Sequence, residues 1–306
     1  VNFSVVQAKY FSNGIVKRFL NVIDAVKYQG AVNHVTGDIL YLNILFDKRR
    51  TILTVLDCGF MNTDSKLTKA FYGTFWLKLP EKKAKYITAI SQATKNDIIK
   101  YTGCHPDKIL VIPVAVSEYF KPSPKPFNKD HPVLLQVGTA SNKNVYRLAE
   151  SLAGIKCSLV IIGRVNDELK EQLQKHQIDY ISKINLPIED LYKEYVNCDI
   201  VTFISTLEGF GMPIIEGNCV ERVVITGNNS SMPEVAGNAA CCVDPFSVQD
   251  MRTGILHIIN DDEYRERLIV NGKSNRQRFS SDAIAEMYYS VYERVYNENA
   301  GAPGGN

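Results

Sequence analysis

No apolar run in the 306-residue chain is long: Ile109 to Val116 and Ser158 to Gly163, among the longest, fall far short of the roughly 20 residues that cross a bilayer. No segment reads as a membrane span. The seven cysteines, at 58, 104, 157, 198, 219, 241 and 242, include no C-x-x-C pair, and the five histidines form no cluster at metal-ligand spacing. The cysteines therefore read as buried thiols in a reducing, cytoplasmic compartment. Val1 to Val6 lacks the basic, apolar and small-residue regions of a secretory signal, and a start on Val rather than Met reads as trimmed. Internal repeats at solenoid or propeller periods are absent as well. The Gly-rich residues 301–306 have nothing to bury and are expected to form a flexible tail.

What is present is an ordinary globular composition, 45% apolar, in a chain long enough for two domains that each bury a core. Net charge is only +2, yet residues 1 to 120 carry 16 Lys and Arg against 9 Asp and Glu, while residues 121 to 306 carry 19 against 24. The basic first half suits an anionic partner, either a phosphorylated acceptor or the inner face of the cell membrane. The plainer reading makes Lys48-Arg49-Arg50 and Lys82-Lys83-Ala84-Lys85 solvated turns and helix faces. No basic stripe is interleaved with aromatics, so nucleic acid is not expected as a partner.

Short β-branched runs alternate with amphipathic ones. Ala31 to Thr36, Thr51 to Leu56, Tyr86 to Ile90 and Ile109 to Ile112 read as strands, Leu67 to Leu79 as a helix, and Ser91 as the N-cap of a helix Gln92 to Tyr101 closed by Gly103. Lys121-Pro122-Ser123-Pro124-Lys125-Pro126 can continue neither a helix nor a central strand and marks the domain boundary. Beyond it strands are expected at Val133 to Val137, Leu159 to Ile162, Ile200 to Ile204, Val223 to Thr226 and Ala240 to Val243, with helices between them and a short turn at Pro233 to Ala236. The domains are thus 1–120, 127–279, a closing helix 280–300 and the tail 301–306. The class is α/β with two Rossmann-like, doubly wound parallel sheets.

The chemistry concentrates in Ser205-Thr206-Leu207-Glu208-Gly209-Phe210-Gly211-Met212-Pro213-Ile214-Ile215-Glu216, directly after an apolar strand. Gly209 and Gly211 let backbone approach a ligand, and Pro213 fits a first helical turn. The amides of such a turn and the helix dipole make an anion site suited to a diphosphate. Glu208 and Glu216 flank that position as acceptors for hydroxyl donors such as sugars and ribose. A second element, Gln136-Val137-Gly138-Thr139-Ala140-Ser141-Asn142-Lys143-Asn144, also follows a strand, and its Lys143 can neutralise a leaving diphosphate.

Two glutamates separated by seven residues around Gly209-Phe210-Gly211 resemble the signature of glycosyltransferase family 4, of the GT-B fold. The resemblance implies two domains facing a cleft, a nucleotide-sugar donor and a saccharide or lipid-linked acceptor. It also implies transfer with retention of configuration and no metal or other cofactor. By the same resemblance Glu208 and Lys143 are catalytic; Gly138, Thr139, Asn142, Lys143, Glu208, Gly209, Phe210, Gly211 and Glu216 bind the donor; His34 and Asp57 lie on the acceptor side. Further likenesses run through Ala89-Ile90-Ser91 with Lys95, Met232-Pro233-Glu234-Val235-Ala236-Gly237 and Asp244-Pro245. A D-x-D metal pair is not evident, and Asp261-Asp262-Glu263 reads as a helix start.

Departures from the pattern bear on activity. Thr139 stands where relatives often carry an arginine, and Leu56, in Thr54-Val55-Leu56-Asp57, where many carry a histidine. Against the family pattern, roughly one or two opening βα units are expected to be absent before Asn33. Three readings therefore stay open: an active retaining transferase, a catalytically impaired nucleotide-sugar-binding module or partner subunit, and an epimerase or phosphorylase on the same fold.

Overall fold

The strands Thr51–Val55 and Tyr86–Ala89 are buried at every position, as parallel strands covered on both faces must be. The computed structural model describes residues 3–300. It divides into two compact units, one running to Pro113 and taking up the chain again from Ala285, the other Val114–Ile284. Each unit carries one parallel sheet.

The first sheet consists of β1 (Asn33–Val35), β2 (Thr51–Val55), β3 (Tyr86–Ala89) and β4 (Ile109–Val111), in the order 1-2-3-4. Its core gathers Leu53, Ile87, Ile98 and Ile109 with Trp76 and Leu77. The N-cap forms as the sequence implies: Ser91 Oγ accepts from the Thr94 amide at 3.0 Å, and Gly103 ends the helix Gln92–Thr102 at φ 72°. The expected helix from Leu67 is wound in three parts: α Lys66–Phe71, π Tyr72–Lys78 and α Leu79–Lys82. The wider middle turn buries Trp76 and Leu77 and leaves Phe75 outside. An additional helix, Ile15–Ala25, begins after Gly14 and buries only Asn21 and Val22.

The second sheet is built from β5 (Val133–Val137), β6 (Ser158–Ile162), β7 (Asp179–Lys183), β8 (Ile200–Phe203), β9 (Val223–Gly227) and β10 (Cys241–Val243), in the order 10-9-8-5-6-7. Read from β7, this is the doubly wound order 3-2-1-4-5-6, and its direction reverses between β5 and β8. Ligands of such sheets bind outside the carboxyl ends of the strands at that reversal. Helix Met212–Val220 is buried at every residue from Pro213 on. It lies so close to the sheet that a Cβ on Gly217 would come 2.8 Å from Val224 Cγ2.

The unit boundary falls at Pro113–Val114, ahead of the proline-rich stretch. The reason is packing that alternate prolines do not reveal: Phe120 is buried edge-on against Tyr195, the Val116 amide donates to Phe279 O, and Lys125 pairs with the buried Asp199 at 2.9 Å. Strand β7 and the short helix Met232–Ala236, where a turn was expected, complete the second unit. The closing helix, Ser281–Ala300, starts one residue later than expected and from Ala285 belongs to the first unit, while the proposed tail 301–306 lies outside the described residues. All seven thiols are free, and six are buried; Cys242 is exposed, against the expectation. No described helix is long and apolar enough to cross a membrane.

Candidate functional site

Both chemistry-bearing loops leave the sheet at its reversal point, one from β5 and one from β8. After β5 the chain turns at Gly138, φ 89°, and the aliphatic stem of Lys143 lies across it: a Cβ there would meet Lys143 Cε at 3.1 Å. Glycine is required on both counts, the positive φ and the close stem. The Lys143 ammonium sits 4.6 Å over the Phe203 ring and 2.7 Å from Glu208 Oε1. Asn142 Nδ2 donates to the same oxygen at 3.1 Å and to Leu207 O at 3.0 Å. The two loops are further tied by the Thr206 amide to Asn142 O, 2.8 Å, and by Asn144 Nδ2 to Ile204 O and Pro245 O. Asn144 holds a left-handed φ of 61° to make this turn.

The loop from β8 is shaped by the Gly211 backbone at φ 135°, where a Cβ would press on Ile214 Cδ1 at 3.0 Å. Its carbonyls are held from below: Ser230 Oγ and Ser231 Oγ donate to Glu208 O, and Ser231 Oγ donates to Phe210 O at 2.5 Å. Phe210 itself is buried edge-on against Phe279, 5.6 Å between ring centres, so it anchors the loop rather than presenting its ring. Thr139 packs against Gly163, whose φ of 150° and missing side chain make room for it; a Cβ there would lie 2.8 Å from Thr139 Cγ2. A long side chain in place of Thr139 would have to leave this contact.

Glu216 is placed differently from Glu208. Its carboxyl is buried, receives the Tyr195 hydroxyl at 2.5 Å and is not hydrogen-bonded to Lys143, Asn142 or Glu208 among the described residues. Burial pushes its pKa up to about 7, against the lowering effect of the Tyr195 hydrogen bond. The structure thus brings Gly138, Thr139, Asn142, Lys143 and Glu208 to one place and sets Glu216 a turn further along helix Met212–Val220, on Tyr195.

The acceptor-side candidates lie in the first unit. His34 Nδ1 is 2.7 Å from Tyr292 Oη, and Nε2 is 2.6 Å from Thr54 Oγ1, which in turn is 2.6 Å from Thr88 Oγ1. Burial lowers its pKa to about 4, keeping the ring neutral. A neutral ring with both nitrogens engaged fastens the closing helix to β1 and β2. Changing Tyr292 to Phe is therefore expected to destabilise this unit by about 1–2 kcal/mol in urea unfolding, since His34 loses a hydrogen-bond partner. Asp57, at the carboxyl end of β2, is exposed and accepts from the Gly59 amide at 2.7 Å; Leu56 beside it is 40% exposed.

Tyr195, Ser230 and Ser231 were not singled out in the sequence. The only signal for the two serines was the polar Asn228-Asn229-Ser230-Ser231 run after β9; for Tyr195, inside an amphipathic helix, there was none.

The chain is similar to several known proteins. O-antigen chain mannosyltransferase B of Escherichia coli is 27% identical over 236 residues, 69% of this chain and 61% of that protein. The serotype-specific mannosyltransferase WbdA of E. coli is 25% identical over 261 residues, 77% of this chain and 32% of that protein. The chain therefore spans less than two thirds of either relative. Among solved structures, Anabaena Alr3699/HepE, in complex with UDP and glucose, superposes with a TM-score of 0.76 at 17% identity, over 91% of this chain and 81% of that one. The likeness is one of fold: two parallel-sheet α/β domains, as in GT-B glycosyltransferases. The family description "Glycosyl transferases group 1" matches residues 118–275, more than half of the chain and including both loops at the sheet reversal, and the chain belongs to that family.

Proposed function

We propose that the chain transfers a glycosyl group from a nucleotide-diphosphate sugar to a saccharide or lipid-linked saccharide, with retention of configuration, in the manner of glycosyltransferase family 4. The observation that carries this reading is the Lys143–Glu208 pair, 2.7 Å apart, at the reversal of a doubly wound sheet beside the first turn of helix Met212–Val220. A cation, a helix amino terminus and a carboxylate are the three groups that a sugar diphosphate needs. On donor binding the pair separates: the ammonium goes to the diphosphate and Glu208 accepts from sugar hydroxyls. Glu216 takes the ribose hydroxyls. The bond from the anomeric carbon to the diphosphate oxygen breaks as the acceptor oxygen attacks from the same face, and the acceptor proton passes to the leaving oxygen. No side-chain base is needed, and Lys143 with the helix terminus supplies the fixed positive potential. Polysaccharide or O-antigen synthesis is the setting that the mannosyltransferase relatives favour.

A second reading, binding without turnover, is favoured by one observation: the exposed position at the end of β2 carries Leu56, which can neither donate a hydrogen bond nor change charge. Product release from a panel of UDP- and GDP-sugars, with saccharide acceptors, separates the two. Turnover by the natural chain supports the transferase. Leu56→His is expected to raise turnover about tenfold or more, within the range of positioned acid–base groups, with donor affinity unchanged. Donor binding with no product in either form would establish the binding module.

A further inference from the structure

The helical segment Lys66 to Lys82 buries Trp76, Leu77 and Pro80 on one side and is unusual on the other. There Leu67 is 85% exposed, Phe71 39% and Phe75 47%, and the two phenylalanine rings lie 5.1 Å apart. Spacing by four residues sets the three side chains in one stripe. Lys66, Lys69 and Lys78 flank it, exposed and without an ion pair among the described residues. The segment's single acid, Glu81, is buried and bound to Lys108 at 2.5 Å, so every exposed charge of the segment itself is positive; the nearest exposed acid along the chain before it is Asp64. The adjoining helix Ile15–Ala25, whose Arg18 lies 4.4 Å over the Trp76 ring, adds Phe19 and Ile23 to the exposed apolar surface of this unit.

Scattered exposed apolar residues need no explanation, but an aromatic stripe flanked by three exposed lysines does. An anionic bilayer surface matches both features. Aromatic and aliphatic side chains settle at the boundary of headgroups and acyl chains, while lysines extend their stems to reach lipid phosphates. We propose that this side of the first unit is a membrane-docking face, seating Leu67, Phe71 and Phe75 in the headgroup region of an anionic leaflet. The contact lies along the surface, since no described helix is long and apolar enough to cross. It goes beyond the transferase reading and is tested without turnover.

The test is co-sedimentation of the full chain with phosphatidylcholine vesicles, with and without phosphatidylglycerol. Binding is expected only where phosphatidylglycerol is present, and it weakens as salt shortens the screening length. The triple variant Lys66→Gln, Lys69→Gln, Lys78→Gln is expected to lose on the order of a hundredfold in affinity at low salt, about fivefold per lysine. Phe71→Ser with Phe75→Ser is expected to abolish what binding remains at high salt. Near-ultraviolet circular dichroism and melting curves check that each variant is folded; all five positions are exposed, and the lysine variant decides the matter alone if the phenylalanine variant unfolds. No binding to anionic vesicles, equal binding to neutral ones, or a lysine variant that binds like the natural chain overturns the proposal. A loss confined to Phe19→Ser with Ile23→Ser would place the contact on the other helix and overturn it as well.

Discussion

Replacing Lys143 by methionine is expected to lower turnover by about two to three orders of magnitude, the usual effect of removing one preorganised group that stabilises developing charge. Methionine keeps much of the unbranched stem that fills the space over Gly138, so the turn survives while the ammonium is lost. Glu208 then keeps Asn142 Nδ2 as a donor at 3.1 Å, which limits the structural damage. The loss falls mainly on kcat, because the leaving diphosphate carries more negative charge in the transition state than in the bound donor. Steady-state kinetics on a saturating donor, with melting curves as control, check it. A drop in melting temperature with kcat intact would make Lys143 a structural brace for Glu208 and nothing more.

Glu216→Gln is expected to act in opposite directions on stability and on binding. The folded carboxyl has a pKa raised to about 7, whereas 4.5 is its ordinary value. A raised carboxyl pKa means that the folded state holds its proton more tightly than the unfolded chain does. The stabilisation is complete below the ordinary value and is lost as pH rises through about 7, by roughly 3 kcal/mol in all. The amide of glutamine has no proton to lose and still accepts from the Tyr195 hydroxyl. The variant should therefore match the natural chain near pH 5 and melt at a higher temperature at pH 8. Its donor affinity should fall by about tenfold to a hundredfold, the difference between a charged and a neutral acceptor for hydroxyl groups. In the natural chain donor binding should strengthen from pH 6 to pH 8 as this carboxyl ionises. Melting curves and calorimetric titrations at the two pH values test both halves. If the amide variant binds every donor as tightly as the natural chain, Glu216 is a core group of helix Met212–Val220, serving only Tyr195.

What could be read from residues alone follows from how local the determinants are. The turn at Gly138, the helix start at Gly211 and Pro213, and the cap at Ser91 each depend on a few adjacent residues, and strands such as Val223–Gly227 carry their own β-branched signature. The pairing of Lys143 with Glu208 across 65 residues was reachable because both loops follow strands of one wound sheet. His34 was not interpretable in this way, since its partner Tyr292 lies 258 residues on and arrives with the closing helix. Tyr195 under Glu216 is likewise a tertiary fact with no local signature, and the serines under Glu208 show locally only as part of a polar run after β9. Helix Ile15–Ala25 carries apolar residues at helical spacing, Ile15, Phe19, Val22 and Ile23 among them, but most of these stay exposed, so the pattern marks a helix without marking a core. The unit boundary was displaced for a related reason: proline reports on backbone stiffness, whereas Phe120 and Lys125 decide which unit the stretch belongs to.

A crystal structure with an unreacted nucleotide-sugar analogue is the most direct test of the central claim. The account predicts the diphosphate within hydrogen-bond distance of Lys143 Nζ and of the first-turn amides of helix Met212–Val220, with the Lys143–Glu208 contact broken and the Glu208 carboxylate on sugar hydroxyls. A donor bound with that contact still at 2.7 Å, or bound away from the β5–β8 reversal, would contradict it.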